Sequence, residues 1–176
     1  DSVKVSLPRM TLTTPDSNVE MECDMDLNAF DVKNPGKVYL RFFAEIGKQD
    51  VMRFAGDMPQ QFIMRYPNHP ISVRLSLNGN MNHARISAFD VSLPTAFKLN
   101  AEGYAVNPTD IKRMKAEMRL RGTTYNIGFL TALAPMPSNI RIPSGISLAA
   151  HLKADQQVYS ANMRIAEGRG TVTAQG

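Results

Sequence analysis

Residues Val19–Ala29 read VEMECDMDLNA and alternate strictly between apolar and polar side chains. A period of two is typical of a β-strand, in which successive side chains point to opposite faces. This stretch therefore predicts a strand with one apolar face and one solvated, mostly acidic face. Cys23 lies on the apolar face and is the only cysteine of the chain, so we expect a buried thiol and exclude an intramolecular disulfide.

The same alternation returns along most of the chain, and turn-forming residues separate the segments. Asn34-Pro35-Gly36, Asn78-Gly79-Asn80 and Pro143-Ser144-Gly145 are such turns. The pattern predicts about a dozen strands. Outside residues 19–29, the apolar positions of the alternating segments are Val38, Leu40, Phe42, Ala44, Ile46, Ile71, Val73, Leu75, Leu77, Val91, Leu93, Phe97, Leu99, Ala101, Met114, Ala116, Met118, Leu120, Ile146, Leu148, Ala150, Leu152, Ala161, Met163, Ile165, Val172 and Ala174.

Similar phrases recur with a period of about 75 residues. Leu27-Asn28-Ala29 returns as Leu99-Asn100-Ala101, and Ile71-Ser72-Val73 returns as Ile146-Ser147-Leu148. Self-similarity at a fixed spacing is typical of arrays in which each unit buries its apolar face against its neighbours. We therefore predict one segment over residues 1–176 with about two repeats, approximately residues 27–98 and 99–176. Because the pattern begins and ends in mid-repeat, we expect this segment to belong to a longer protein.

Two stretches break the alternation and have the apolar spacing of short helices. They are Asp50–Ala55 and Thr124–Leu130, with Asp50 and Thr124 as candidate N-cap residues. Gln60–Tyr66 is expected to add another helical turn. Each repeat would then consist of several antiparallel strands followed by a short helical insert.

A dozen strands with one apolar face need something that covers this face. A sandwich or a closed barrel would cover it, and both are alternatives here. We favour an all-β fold made of an elongated, curled antiparallel sheet with short helical inserts, because the long repeat suits an array that grows by adding units. Such a sheet would form an open, U-shaped trough, like a taco shell. A trough of this kind needs an occupant, since large exposed apolar patches usually bind something.

Composition and motifs argue against catalysis. The net charge of +4 and the pI near 9.3 come from scattered basic residues, with local clusters only at Lys112–Lys115 and at Arg119 and Arg121. The helix or exposed aromatic residues of nucleic-acid binders do not accompany these clusters. The three histidines have no partner at the spacing of metal ligands, and nucleophile and phosphate-binding motifs are missing. We therefore expect no enzyme, no catalytic residue, no metal, no cofactor and no nucleic-acid partner.

Several phrases resemble the repeats of the AsmA-like family, in particular its translocation and assembly module (TamB-type) branch. They are ISVRLSLNG at 71–79, AFDVSLP at 88–94, LNAEG at 99–103 and Asn107-Pro108. Residues 146–176 contain a similar series of sequence motifs. The resemblance implies a bridge-like lipid transporter, whose repeating sheets curl into a trough with an apolar lining. It also implies a periplasmic location, with an inner-membrane anchor helix that residues 1–176 do not include.

The resemblance and the pattern together predict a non-catalytic segment of a conduit that moves phospholipid between the inner and outer membranes of Gram-negative bacteria. Phospholipid acyl chains would be its partners. A second hypothesis is a protein-interaction module that pairs with outer-membrane β-barrel proteins during their assembly. A third is a structural solenoid spacer with a closed core. The predicted lining of the lipid groove is Val19, Met21, Met25, Leu27, Leu40, Phe42, Ile71, Val73, Leu75, Leu77, Val91, Leu93, Phe97, Leu99, Met114, Met118, Leu120, Ile146, Leu148, Leu152, Met163, Ile165 and Val172.

Overall fold

The computed structural model describes residues 3–31, 33–108, 110–133, 145–168 and 170–176. Within these ranges the chain forms ten β-strands, two short α-helices and one turn of 3-10 helix. The strands are β1 (Lys4–Thr13), β2 (Asn18–Asp26), β3 (Val38–Ile46), β4 (Ile71–Gly79), β5 (His83–Leu93), β6 (Phe97–Val106), β7 (Lys115–Thr124), β8 (Ile146–Asp155), β9 (Val158–Glu167) and β10 (Gly170–Gln175). The helices are α1 (Lys48–Phe54) and α2 (Gln60–Arg65), and the 3-10 turn is Leu130–Ala132.

All ten strands form one antiparallel sheet, in which each strand pairs with the next one along the chain. Strands β1 and β10 are the two edges and do not pair with each other in the described residues, so the sheet stays open. The predicted fold class, an elongated, curled antiparallel sheet with short helical inserts, is confirmed. The sandwich and the closed barrel are therefore wrong as descriptions of these residues.

Two irregularities keep the apolar side chains of the sheet in phase. In β5 the pairing shifts between Ile86 and Phe89, so that the bulge at Ser87 places both apolar residues on the same face. In β1 the pairing shifts between Leu7 and Met10 with the same result. Without the extra residue, residues three apart would point to opposite faces.

The helical inserts meet at one end of the strands. Helices α1 and α2 connect β3 to β4, and the 3-10 turn follows β7. Phe62 and Tyr66 at α2 pack with Phe129 beside the 3-10 turn and with Leu93 and Ala96 of the β5–β6 turn. This small cluster is the core of the described molecule, and partly buried apolar residues of α1 and of the strand ends surround it.

The structure differs from the predicted helices at both inserts. Helix α1 begins at Lys48 after Gly47, so Asp50 lies inside the first turn and is not the N-cap. The predicted helix at Thr124–Leu130 is wrong, because Thr124 ends β7 and only the short turn at 130–132 is helical. The predicted turn at Gln60–Tyr66 is confirmed as α2.

Three apolar residues predicted in alternating strands lie outside them, and one of these, Ala29, is buried in the turn after β2. Leu27 follows the end of β2 in a turn, and its side chain is 64% exposed. Met114 directly precedes β7, and its carbonyl oxygen accepts a hydrogen bond from the Gln156 backbone amide at 2.9 Å. The division of the chain into two repeats stays a prediction.

Candidate functional site: an apolar face across ten strands

Register places the apolar side chains of one face in four cross-strand rows. Each row follows directly from the paired residues of neighbouring strands, and each crosses the sheet from β1 to β9 or β10 without a charged residue. We call this surface the apolar face. Its rows, from the helical end outwards, are Leu12-Val19-Ala44-Val73-Val91-Leu99-Gly122-Leu148-Ile165-Val172, Met10-Met21-Phe42-Leu75-Phe89-Ala101-Leu120-Ala150-Met163-Ala174, Leu7-Cys23-Leu40-Leu77-Ile86-Gly103-Met118-Leu152-Ala161-Gly176 and Val5-Met25-Val38-Gly79-Ala84-Ala105-Ala116-Ala154-Tyr159.

The rows run nearly perpendicular to the strands, along the long direction of the sheet. Ten strands at a spacing of about 4.8 Å give the first three rows a length of about 43 Å, and the fourth row, which spans nine strands, is about 38 Å long. A bilayer core about 30 Å thick holds two layers of acyl chains, so one row is longer than two such chains end to end.

The exposure of the apolar face differs between the middle and the sides of the sheet. Large apolar side chains of this face are half-buried in β2–β7, whereas Leu12 is 62% and Val172 is 67% exposed. Leu152 of β8 and Met163 of β9 are also exposed, although both strands have neighbours on each side. Strand pairing alone therefore does not explain the difference. Met163 is paired with Ala150 and Ala174, and Leu152 has Ala161 on one side, so small neighbouring side chains leave these residues more exposed.

Aromatic residues close the helical end of this face. The ring centroids of Phe62, Tyr66 and Phe129 lie 5.3 to 5.7 Å from one another, in tilted or edge-on arrangements. Such pairs add to the stability that burial alone provides. The Tyr66 hydroxyl is buried without a hydrogen-bond partner in the described residues, and burial raises the pKa of Tyr66.

The aromatic cluster changes the role of some predicted groove residues. Leu93 is 1% exposed and packs in the cluster, so it does not line the open groove as predicted. Ile71 and Phe97 are partly buried against the same cluster. The remaining predicted lining residues that lie in strands β2–β10 share the apolar face. They are Val19, Met21, Met25, Leu40, Phe42, Val73, Leu75, Leu77, Val91, Leu99, Met118, Leu120, Ile146, Leu148, Leu152, Met163, Ile165 and Val172.

Sequence reasoning missed the apolar residues of two irregular strands. In β1 these are Val5, Leu7, Met10 and Leu12, and in β5 they are Ala84, Ile86 and Phe89. The bulges interrupt the period of two at both places, so neither strand shows an unbroken alternation. The apolar residues on either side of each interruption could have indicated a strand with a bulge.

Near the β10 edge the apolar face carries a cavity of about 410 Å³. Met118, Leu152 and Tyr159 contribute its larger apolar side chains, and the other lining residues are Ala116, Lys153, Ala154, Ser160, Ala161 and Gly176. Because small residues occupy the outermost row from β4 to β8, the face is deeper here than over the neighbouring leucines.

The opposite face, which we call the polar face, holds paired charges. Arg9 contacts Glu20 at 2.6 Å and Arg41 contacts Glu22 at 3.8 Å across neighbouring strands. A depression of about 700 Å³ on this face lies among these long side chains. Hydration of so many charges makes it a solvated surface.

One hydrogen-bonded pair on the polar face includes a histidine. The His151 Nε2 atom lies 2.7 Å from Glu117 Oε1. This hydrogen bond, together with the positive charges of Lys153 and Arg119, lowers the pKa of Glu117. The pair joins β7 to β8 on the solvated side.

A buried carboxylate fixes helix α1 to the β1–β2 turn. Asp50 is 5% exposed and accepts hydrogen bonds from the hydroxyls of Thr14 and Ser17, the latter at 2.6 Å, and from Arg53 Nη1 at 2.6 Å. Ser17 Oγ also accepts a bond from the Gly47 amide at 3.0 Å. These bonds lower the pKa of Asp50, with Ser17 contributing most. The Asp50 carboxylate thus has its hydrogen-bond donors within the described residues, and we assign this cluster a structural role.

The described residues bring no three His, Cys, Asp or Glu side chains together in a way that could hold a metal ion. In the same ranges, every helix is too short or too polar to cross a bilayer. A scan against protein-family models and searches among curated proteins and among solved structures found no match for this chain. The fold and the apolar face therefore define it only as an open, single-sheet β-protein with one continuous apolar surface.

Proposed function

We propose that the apolar face binds the acyl chains of phospholipids and forms one segment of a lipid conduit. The observation that supports this proposal is the continuity of the four rows. They cross at least nine strands without a charged side chain and remain open to solvent between the two edges. The resemblance to AsmA-like repeats supports the same function and a periplasmic location between the inner and outer membranes.

The mechanism needs no chemical step. Each methylene group that leaves water for the apolar face gains about 0.8 kcal/mol. Because the rows offer almost no side-chain hydrogen-bonding groups, neighbouring positions along a row bind an acyl chain with similar free energy. The chain can therefore slide from strand to strand, while the headgroup stays in water at the open side of the sheet.

A pair of aspartate variants on one strand tests the proposal. Val91 lies on the apolar face between Val73 and Leu99, and the neighbouring Ser92 lies on the polar face opposite Lys98. An unpaired charge at position 91 must stay hydrated, so it interrupts an acyl chain on that row at a cost of several kcal/mol. We expect Val91→Asp to lose phospholipid that co-purifies with the protein, measured by mass spectrometry, and Ser92→Asp to keep it.

A second pair of variants keeps the test informative if Val91→Asp unfolds the protein. Leu152 is 40% exposed on the apolar face, so an aspartate there stays solvated and the fold survives. Asn162 of β9 is exposed on the polar face opposite His151, does not line the cavity near the β10 edge and is the matched control as Asn162→Asp. If a folded Val91→Asp or Leu152→Asp variant keeps its phospholipid, the conduit proposal is wrong.

The open edges favour a second candidate function. Strands β1 and β10 each have one side without a partner strand in the described residues, and all of β10 is exposed. An incoming strand of an unfolded outer-membrane barrel protein would pair there through its backbone. The same variants distinguish the two functions, because Val91→Asp leaves both edges intact. Retained binding of a barrel-strand peptide by this variant, with no phospholipid bound by the wild type, would favour strand pairing.

A further inference from the structure

The polar face carries one depression whose charged lining is entirely basic. It measures about 550 Å³ and lies over strands β6–β9. Its cations are Lys98, Arg121 and Arg164, and its polar groups include the hydroxyls of Thr123 and Ser147. No carboxylate lines it, so three positive charges share one concave surface.

Register explains why this depression exists. Arg121 of β7 and Arg164 of β9 are both paired with Ala149 of the intervening β8. Their backbones are therefore two strand spacings apart, which is about 10 Å. Since the alanine between them has only a methyl group, the two guanidinium groups border a gap over β8. In the adjoining row, Lys98 is paired with Thr123, which is in turn paired with Ser147.

These cations differ from several others on the same face. Arg9, Arg41, Lys115 and Arg119 each have a carboxylate within 4 Å on the described chain. Lys98, Arg121 and Arg164 have none in the described residues.

Two acidic residues line a neighbouring depression and not this one. Asp90 and Glu102 line the next depression, which Arg121 also borders. Asp90 accepts a hydrogen bond from Asn100 Nδ2 at 2.5 Å.

We propose that Lys98, Arg121 and Arg164 form a binding site for a phosphate group, either free phosphate or the phosphate of a lipid headgroup. Guanidinium groups bind phosphate oxygens in a bidentate manner, and the Thr123 and Ser147 hydroxyls supply further donors. A bound dianion also relieves the mutual repulsion of the three cations. The site is on the face opposite the acyl-chain rows, so it does not depend on the proposed lipid conduit.

Titration with inorganic phosphate tests the site. Backbone amide shifts of Thr123, Ser147 and Ala149 are followed by NMR while potassium phosphate replaces potassium chloride at constant pH and ionic strength. We expect saturable shifts confined to β6–β9. Arg121→Gln and Arg164→Gln should each weaken binding about tenfold, because each removes charge-assisted hydrogen bonds.

Arg119→Gln is the matched control, because Arg119 lies on the same strand and face but is paired with Glu117 at 3.5 Å. It should bind phosphate like the wild type. Shifts that do not saturate, or an equal loss in Arg119→Gln, would overturn the site in favour of general surface charge.

Vesicle flotation distinguishes the two sources of phosphate. Binding to phosphatidylcholine vesicles that contain phosphatidylglycerol, with loss in Arg121→Gln, would assign the site to a headgroup. Saturable phosphate binding without vesicle binding would assign it to free phosphate. Vesicle binding without saturable phosphate shifts would overturn the discrete site.

Discussion

Asp50 illustrates how a single residue connects sequence-distant parts of this chain. Its carboxylate is buried, and its hydroxyl donors come from Thr14 and Ser17, more than thirty positions earlier in the sequence. The interaction holds α1 against the β1–β2 turn, which positions one end of the first two strands. The sequence suggested a helix N-cap at Asp50, because an acidic residue before an apolar helical stretch is typical of one.

The lowered pKa of Asp50 leads to a pH-dependent stability. Because the pKa is lower in the folded than in the unfolded chain, the ionised carboxylate stabilises the fold at pH values above about 4. This contribution is lost as the pH falls through the folded pKa. We expect Asp50→Asn to reduce the free energy of unfolding at pH 7, and the difference from wild type to shrink at pH 3, measured by urea unfolding.

Asp16→Asn serves as the control, since Asp16 is exposed in the same turn. It should change the unfolding free energy little at either pH. A difference between wild type and Asp50→Asn that is equal at pH 7 and pH 3 would show that the charge of Asp50 contributes nothing to stability.

At the scale of the elements, the helical inserts supply most of the dense packing. Most apolar side chains of the strands are only half-buried, whereas the residues in the aromatic cluster are 6% exposed or less. The inserts thus stabilise the end of the sheet from which the rows begin. They cover that end of the apolar face and leave the rest of it open.

Two phenylalanines test the role of the inserts with the same chemical change. Phe129 is 4% exposed in the aromatic cluster, whereas Phe54 at the end of α1 is 91% exposed. We expect Phe129→Ala to reduce the free energy of unfolding by about 3–5 kcal/mol. Phe54→Ala should change it by about 0.5 kcal/mol or less. Denaturant unfolding with constant m-values measures both, and equal losses would contradict the assigned packing.

For the whole molecule, the open sheet leaves the apolar face without a protein partner beyond the end that the helical inserts cover, in the described residues. A closed barrel of the same sequence would turn the four rows inward, where only a ligand that fits the barrel interior could reach them. The half-buried rows instead combine a defined register with an accessible surface. A continuous exposed patch of this size is uncommon on a soluble protein unless it binds something.

Cys23 reports on the occupancy of this face. The thiol lies in the third row between Leu7 and Leu40 and is half-buried, so the expected fully buried thiol is not found. If phospholipid covers the rows, we expect a maleimide to label Cys23 more slowly in lipid-loaded than in lipid-free protein. Labelling in denaturant gives the reference rate. Equal rates with and without phospholipid would show that lipid does not cover this part of the sheet.

The sequence by itself determined the strands whose alternation is uninterrupted. In β2–β4 and β6–β9 the period of two assigns most side chains to the correct face, because this assignment depends only on neighbouring residues. Once those strands pair in order, the apolar rows follow from register. The general form of the candidate site, an apolar surface of many strands, was therefore predictable.

Tertiary structure alone decided the remaining features. The bulges in β1 and β5 shift the phase of the alternation, and only the facing strand shows that Leu7 and Met10, or Ile86 and Phe89, share a face. Phe62 contacts Phe129, which is far from it in the sequence. Arg121 and Arg164 are also distant in the sequence, and they lie on either side of Ala149 only because β7, β8 and β9 pair in this register. Local pattern carries no information about such contacts, because they depend on which strands become neighbours and where each pairing begins.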